Sequence, residues 1–145
     1  MLHQPIPNTS VWLQGREYVE AAEVLLDYNR LPSAAILAAL AIEVFLKSFL
    51  ATKDENGMSK TVSGHALVSL YEKFEERDDL DLTESMRLVN PEVDILEKLQ
   101  KFDGTFTKFR YRYEPNGLYS VGSDIIYFAR NLCDAIFALG KARGV

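Results

Sequence analysis

Ala34-Ala35-Ile36-Leu37-Ala38-Ala39-Leu40-Ala41-Ile42-Glu43-Val44-Phe45-Leu46-Lys47-Ser48-Phe49-Leu50-Ala51 is the stretch whose reading decides the fold. Residues 34–42 are all apolar, and the run resumes after Glu43. A membrane span needs about 20 predominantly apolar residues, and here Glu43 and Lys47 interrupt, four apart in the favourable Glu-before-Lys order. Charges at that depth are expensive in lipid but cheap at a protein surface or as a hydrogen-bonded pair. A helix apolar almost all round belongs at the centre of a bundle. Pro32 suits its first turn. Leu40 and Phe45 are expected in the core, with the Glu43–Lys47 pair at its edge.

Working outward, residues 11–29 form a first helix with Ser10 as N-cap. Val11, Tyr18, Val19, Ala22, Leu25 and Leu26 make its buried stripe. Residues 54–64 are polar and read as a loop, and residues 65–76 as a third helix facing the core through Leu67, Leu70, Tyr71 and Phe74. Residues 77–81 look like a solvated turn and 83–89 like a short helix. Asn90 and Pro91 read as cap and first residue of a fourth helix, with Leu96, Leu99, Phe102, Phe106, Phe109 and Tyr113 recurring at helical spacing. Gly104 is its weak point, at about 1 kcal/mol against alanine. Pro115-Asn116-Gly117 is a turn signal. The last helix starts near Ser123 or Asp124 and runs to about Arg143, with Ile125, Phe128, Ala129, Leu132, Ile136 and Leu139 inward. No segment alternates apolar and polar, so no strands are expected. The expectation is all-α: a five-helix, up-and-down-type bundle around a nearly all-apolar central helix, with residues 1–10 flexible and 11–145 one domain.

Composition agrees. The 145 residues are 48% hydrophobic and 26% charged, which is globular usage. The single cysteine, Cys133, excludes an intramolecular disulfide and fits a reducing compartment. Residues 1–10 lack a basic stretch followed by an apolar core, so they are not a secretory signal. A cytoplasmic location without membrane association is expected. The net charge of −5 argues against a general nucleic-acid binder. It hides a division: residues 1–97 carry 8 basic and 17 acidic side chains, net −9, and residues 98–145 carry 8 and 4, net +4.

There is no phosphate-cradling glycine loop, dinucleotide fingerprint or metal-spaced His/Cys cluster, so neither metal nor cofactor is expected. His65 opens the third helix, where a histidine more often caps or packs than acts as a general base. Cys133 falls near the inward stripe of the last helix and reads as a packed small hydrophobe. The basic stretch is the clearest non-structural signal. Lys98, Lys101, Thr105, Lys108 and Arg112 follow at spacings of three or four, with Arg110 close by, and would make one cationic stripe if the helix runs through Gly104. Such residues are ordinarily a solvated face, but a concentrated positive face also suits a phosphate, an RNA backbone or an acidic protein surface. Phe106, Phe109, Tyr111 and Tyr113 could stack bases, though their spacing makes most of them core.

The apolar segment of residues 35–50, with Glu43 and then Lys47, resembles the second helix of HEPN (higher eukaryotes and prokaryotes nucleotide-binding) domains. Gly64-His65-Ala66-Leu67 is similar to the step opening their next helix, and Arg110-Tyr111-Arg112-Tyr113-Glu114-Pro115 to their Arg-Tyr segment before the final helix. The resemblance spans roughly residues 11–140.

It implies alternatives. Many HEPN domains are RNases whose centre is an arginine, a polar residue and a histidine roughly one to two helical turns beyond, on a late helix at a dimer interface. Arg130-Asn131 matches the start, but residues 132–139 contain no histidine, which leaves proton transfer without its usual group. The resemblance therefore favours a non-catalytic binding or interaction module, a homodimer. Its ligand would be a nucleotide, RNA or a partner protein, such as a nucleotidyltransferase or toxin, in a prokaryotic defence, toxin–antitoxin or regulatory setting. Expected ligand-binding residues are Arg130, Asn131, Lys101, Lys108, Arg110, Arg112 and Tyr113. The alternatives are an atypical RNase using Arg130, Asn131 and His65, and a purely structural antitoxin or immunity-type partner. Arg130 and Asn131 lie off the apolar stripe, and Asp134 is one turn from Arg130 and placed to pair with it.

Overall fold

In the computed structural model the apolar run forms one helix, α2 (Leu31–Leu50). The structure describes residues 7–110 and 122–144. Before α2 comes α1 (Thr9–Asp27); after it come a two-residue pair, β1 (Thr52–Lys53) with β2 (Ser59–Lys60), then α3 (Leu67–Glu72), α4 (Glu76–Val89), α5 (Ile95–Phe102), α6 (Thr105–Arg110) and α7 (Asp124–Ala142). The all-α bundle is what the chain adopts. α2 is long and apolar enough to cross a membrane, but ten of its residues, Glu43 among them, are buried in the fold. It packs against α1, α3, α6 and α7, and α4 closes on α7.

The α1–α2 hairpin is built by local rules. Asn8, not Ser10, caps α1, its Oδ1 accepting from Val11 N at 3.1 Å. At the other end Asn29 takes φ 61°, and Arg30 N donates to Leu25 O at 2.8 Å while Asn29 N donates to Leu26 O at 3.0 Å. This is a Schellman ending with asparagine in the left-handed position, and Pro32 restarts the helix two residues later. Pro7 and Asn8 are buried; residues 1–6 of the segment expected to be flexible lie outside the described residues.

The core runs along α2. Val19, Ala22, Ala38, Ile42, Phe45, Leu46, Leu82, Leu99, Phe128, Ala129, Leu132 and Ile136 belong to one buried cluster. Leu40 does not: it is only half-buried. Seven positions before Lys47, it shares that residue's face of the helix. Phe45 is fully buried, its Cε1 lying 2.5 Å from where a Cβ on Gly15 would be. The missing side chain of Gly15 is thus the space that the ring fills.

Downstream, tertiary contacts redraw the expected boundaries. The 54–64 loop carries β2 and folds it back on β1 just before it, a short strand pair where none was expected, because Asp54 Oδ1 accepts from both Asn56 N and Met58 N at 2.9 Å and Gly57 takes φ 78°, closing a tight turn. Residues 77–81 are not a solvated turn but the first turns of α4, whose N-terminal Glu76, Asp78 and Asp79 suit the helix dipole. Asn90 ends α4 instead of starting a helix, and Asp94 caps α5 by accepting from Glu97 N at 3.1 Å. The fourth helix does not run through Gly104. Asp103 leaves helical geometry (ψ 132°), and its carboxylate accepts from Leu67 N at 2.9 Å and Val68 N at 3.4 Å. α3 begins at Ala66, which has no capping side chain, so Asp103 supplies the cap from 36 residues away. Gly104, at φ 80°, makes the bend affordable. Tyr111, Tyr113 and the Pro115-Asn116-Gly117 turn lie outside the described residues.

α4 is fastened to α7 by Ser85 Oγ donating to Ala135 O at 2.5 Å and by Arg143. Its Nη1 lies 3.0 Å from Asp78 Oδ1 and its Nη2 2.6 Å from Asp81 Oδ2. Arg143 and Asp78 are 12% and 10% exposed. Asp78 Oδ1 has no aligned hydrogen bond, so charge holds this pair. Tyr71 donates to Asp79, linking α3 to α4; burial and this bond push its hydroxyl well above the usual tyrosine range.

Two predictions follow from this packing. Gly15→Ala gains up to about 1 kcal/mol of helix propensity but meets a buried ring, and overpacking costs about 1–3 kcal/mol. Urea denaturation should show net destabilisation, partly recovered when Phe45→Leu is added. Arg143→Ala strands a buried carboxylate and should cost about 3 kcal/mol. Arg87→Ala, which removes an exposed pair with Glu84, should stay within about 0.5 kcal/mol.

Candidate functional site on the first and last helices

The inward residues of α7, among them Ile125, Phe128, Leu132, Ile136 and Leu139, are all buried. The same periodicity turns Tyr127, Arg130, Asn131, Asp134, Phe137 and Lys141 to the other side. There α7 meets α1. Trp12 Nε1 donates to Cys133 O at 3.3 Å, and the Trp12 and Phe137 rings lie 5.8 Å apart. Arg16 stands over Trp12 at 5.4 Å and Lys141 over Phe137 at 5.3 Å. Between the helices is an apolar depression of about 110 Å³ lined by Pro7, Thr9, Trp12, Ile136, Phe137 and Lys141.

Arg130 is the electrostatic centre of this face. Glu23 grips it from both oxygens: Nε donates to Oε2 at 3.0 Å and Nη2 to Oε1 at 2.5 Å. Asp134 adds its charge, with Oδ1 3.5 Å from Nη1, as the one-turn spacing anticipates. The bond to Glu23 holds the guanidinium further above the usual arginine range, against the pull of burial. Forked recognition of a carboxylate is the strong form of this contact. Glu23 was not singled out in the sequence; its one visible signal is an acid one turn beyond Glu20 on α1, and its partner is 107 residues away. Asn131 is half-buried.

Among the described residues the basic stripe is interrupted. The bend at Asp103 and Gly104 breaks it, and Thr105, counted within it, is fully buried. Lys101 pairs with Asp124 at 2.5 Å and lies 5.5 Å over the Phe102 ring; Lys98 is half-buried and Lys108 exposed. The side chains of Arg110 and Phe109, and all of Arg112 and Tyr113, lie outside the described residues. Among the described residues no group of three or more His, Cys, Asp or Glu is placed to hold a metal ion.

His65 is elsewhere. Its Nδ1 is 2.9 Å from Glu43 Oε1, and its ring lies 6.3 Å from Phe106. Arg130 bonds to Glu23, Cys133 and Asp134. Among the described residues no hydrogen bond or ion pair joins His65 to Arg130 or Asn131. Glu43 also accepts from Lys47 at 3.2 Å, at the core edge as expected.

With this geometry in view, a family model of the HEPN domain matches residues 9–139. The chain belongs to the HEPN domain family, which is generally associated with nucleotides and RNA. No curated protein and no solved structure matches it.

Cys133 is buried, and burial pushes its thiol up to about 11, with Arg130 partly opposing. A raised value favours the neutral thiol, so at pH 8 only about one molecule in a thousand carries the reactive thiolate. Native protein should resist Ellman's reagent at pH 8 and react fully in guanidinium chloride. Rapid native labelling would show that Cys133 is not packed as described.

Proposed function

We propose that this HEPN chain is a non-catalytic interaction module that pairs with a second copy of itself through the α1–α7 face, with Arg130 at or beside the shared cleft. The observation carrying this reading is the double carboxylate grip on Arg130. Glu23 and Asp134 already satisfy its charge, and residues 132–139 supply no histidine to move a proton. The arginine is positioned as a structural and recognition group, without a proton-transfer partner.

The face itself suits association. Tyr127 and Phe137 are 60% and 51% exposed, and Leu13 and Val24 add apolar area on the outward side of α1. Arg16, Glu20, Glu23, Arg130, Asp134 and Lys141 intersperse both signs of charge. An isologous interface sets a patch against its own copy, so a patch carrying both signs can complement itself. Tyr, Trp, Phe and Arg are also the residues enriched in interface cores. Of the ligands considered, a protein surface fits better than a phosphate, which Glu23 and Asp134 would repel. A toxin, nucleotidyltransferase or other protein in a cytoplasmic prokaryotic defence or regulatory system is a fitting further partner, and a nucleotide or RNA would bind through the assembled dimer.

Light scattering across a concentration series should report a dimer, and Tyr127→Glu with Phe137→Glu should return it to monomer with an unchanged circular dichroism spectrum. Purified protein should cleave RNA no faster than Arg130→Ala. A strict monomer at high micromolar concentration would sink the shared face, and cleavage lost in Arg130→Ala would establish the atypical RNase instead.

A further inference from the structure

From Ile95 to Arg110 the residues have the spacing of one continuous helix. Leu96, Leu99, Phe102 and Phe106 recur at three or four, and so do Lys98, Lys101, Thr105 and Lys108 beside them. The chain nevertheless folds as two helices, α5 and α6, separated at residues 103–104. Such a disagreement between local preference and final conformation marks a strained or functional segment.

The bend is held by side chains and by packing. Asp103 accepts from Leu67 N at 2.9 Å and Val68 N at 3.4 Å. Lys101 pairs with Asp124, the first residue of α7, at 2.5 Å, and α6 lies against α2. Two observations stand against these. Thr105 is fully buried, and its hydroxyl has no hydrogen-bond partner among the described residues. A buried hydroxyl left in that state loses the full strength of its contact with water. The bend is the cause: in a continuous helix Thr105 falls on the lysine side, where water or the Lys101 carbonyl satisfies it. The second observation is length. α3 and α6 have six residues each, short of the roughly 12–15 at which a helix begins to stand alone, and α3 has no capping side chain of its own. A helix running from Ile95 to Arg110 passes that length.

We propose that residues 103–105 are a two-state hinge, in which the bent form exchanges with a minor form where α5 and α6 are one helix and α3 is uncapped. The two ends are coupled through one carboxylate. Asp103 leaves helical geometry (ψ 132°) to reach Leu67, so regaining that geometry withdraws the cap. Lys98, Lys101 and Lys108 share a face only in the straight form, and the cationic row that their spacing describes belongs to that form. Gly104 is the pivot. It takes φ 80°, and a Cβ placed on it meets nothing nearer than Lys108 Cε at 3.7 Å, an ordinary contact. Alanine is therefore opposed there by backbone angle and not by packing, and only in the bent form. The hinge uses none of the residues assigned to the α1–α7 pairing.

Carbon-13 shifts and amide relaxation dispersion of the full chain test it. In the unaltered protein the Leu67, Val68, Gly104 and Thr105 amides should exchange at one shared rate. Gly104→Ala should raise the straight population about tenfold or more. The Cα shifts of residues 103–105 then move to helical values, and helix content by circular dichroism rises. Thr105→Val removes the orphaned hydroxyl while keeping the shape of the side chain, and is the second, stabilising probe. It should raise Tm and lower the straight population about fivefold or more. Arg130→Ala should leave the exchange unchanged. Non-helical shifts at residues 103–105 in Gly104→Ala, separate rates for the 67–68 and 104–105 amides, or exchange undiminished in Thr105→Val would each overturn the inference.

Discussion

The ring of Phe45 occupies the space that a side chain on Gly15 would fill, and the bundle is organised around that contact. It lets α1 lie close along α2, so the most apolar helix of the chain is covered along its length by its immediate neighbour. What α1 leaves open is covered by α3, α6 and α7. Each covering helix needs only one apolar stripe, since α2 has little polar surface to satisfy. One deeply apolar element can thus gather several ordinary amphipathic ones, and the charged half of each is left facing outward.

Charged groups enter the margins of this core where they complete something the backbone or a partner lacks. Asp103 caps α3, whose own first residue offers no acceptor. Asp78 is buried because Arg143 reaches back to it from the end of α7. Glu43 stands between Lys47 and His65, holding the segment after β2 against the central helix. The same carboxylates decide where elements stop: α5 ends where Asp103 must turn away to reach α3, and α4 begins early because its acidic first turn is stabilised by its own dipole and by Arg143.

Arg130 illustrates how a motif's meaning depends on its surroundings. The Arg-Asn pair is where the family resemblance places it, on the outward side of the last helix. Its chemistry is governed by Glu23, which arrives from α1. A guanidinium held in a carboxylate fork has a fixed orientation. Coupled to the Trp12–Phe137 stack and the exposed Tyr127, it gives the α1–α7 face a mixed apolar and charged character that an isolated reading of α7 does not contain.

The all-α bundle, the placement of α2 and the first and last helices were legible in residues 11–51 and 123–143, because helical periodicity and local caps are properties of neighbouring residues. The Glu43–Lys47 pair and the pairing of Arg130 with Asp134 were legible for the same reason, being one turn apart. Contacts between distant residues were not. The cap from Asp103 to Leu67, the grip of Glu23 on Arg130, the Glu43–His65 bond and the burial of Asp78 all join residues many turns apart in sequence, and nothing local distinguishes these carboxylates from solvated ones. The break in the cationic stripe was illegible on the same ground, since Gly104 costs a helix only about 1 kcal/mol and the bend is set by Asp103 reaching α3. Local spacing determined which faces exist, and tertiary packing decided which charges on them are spent.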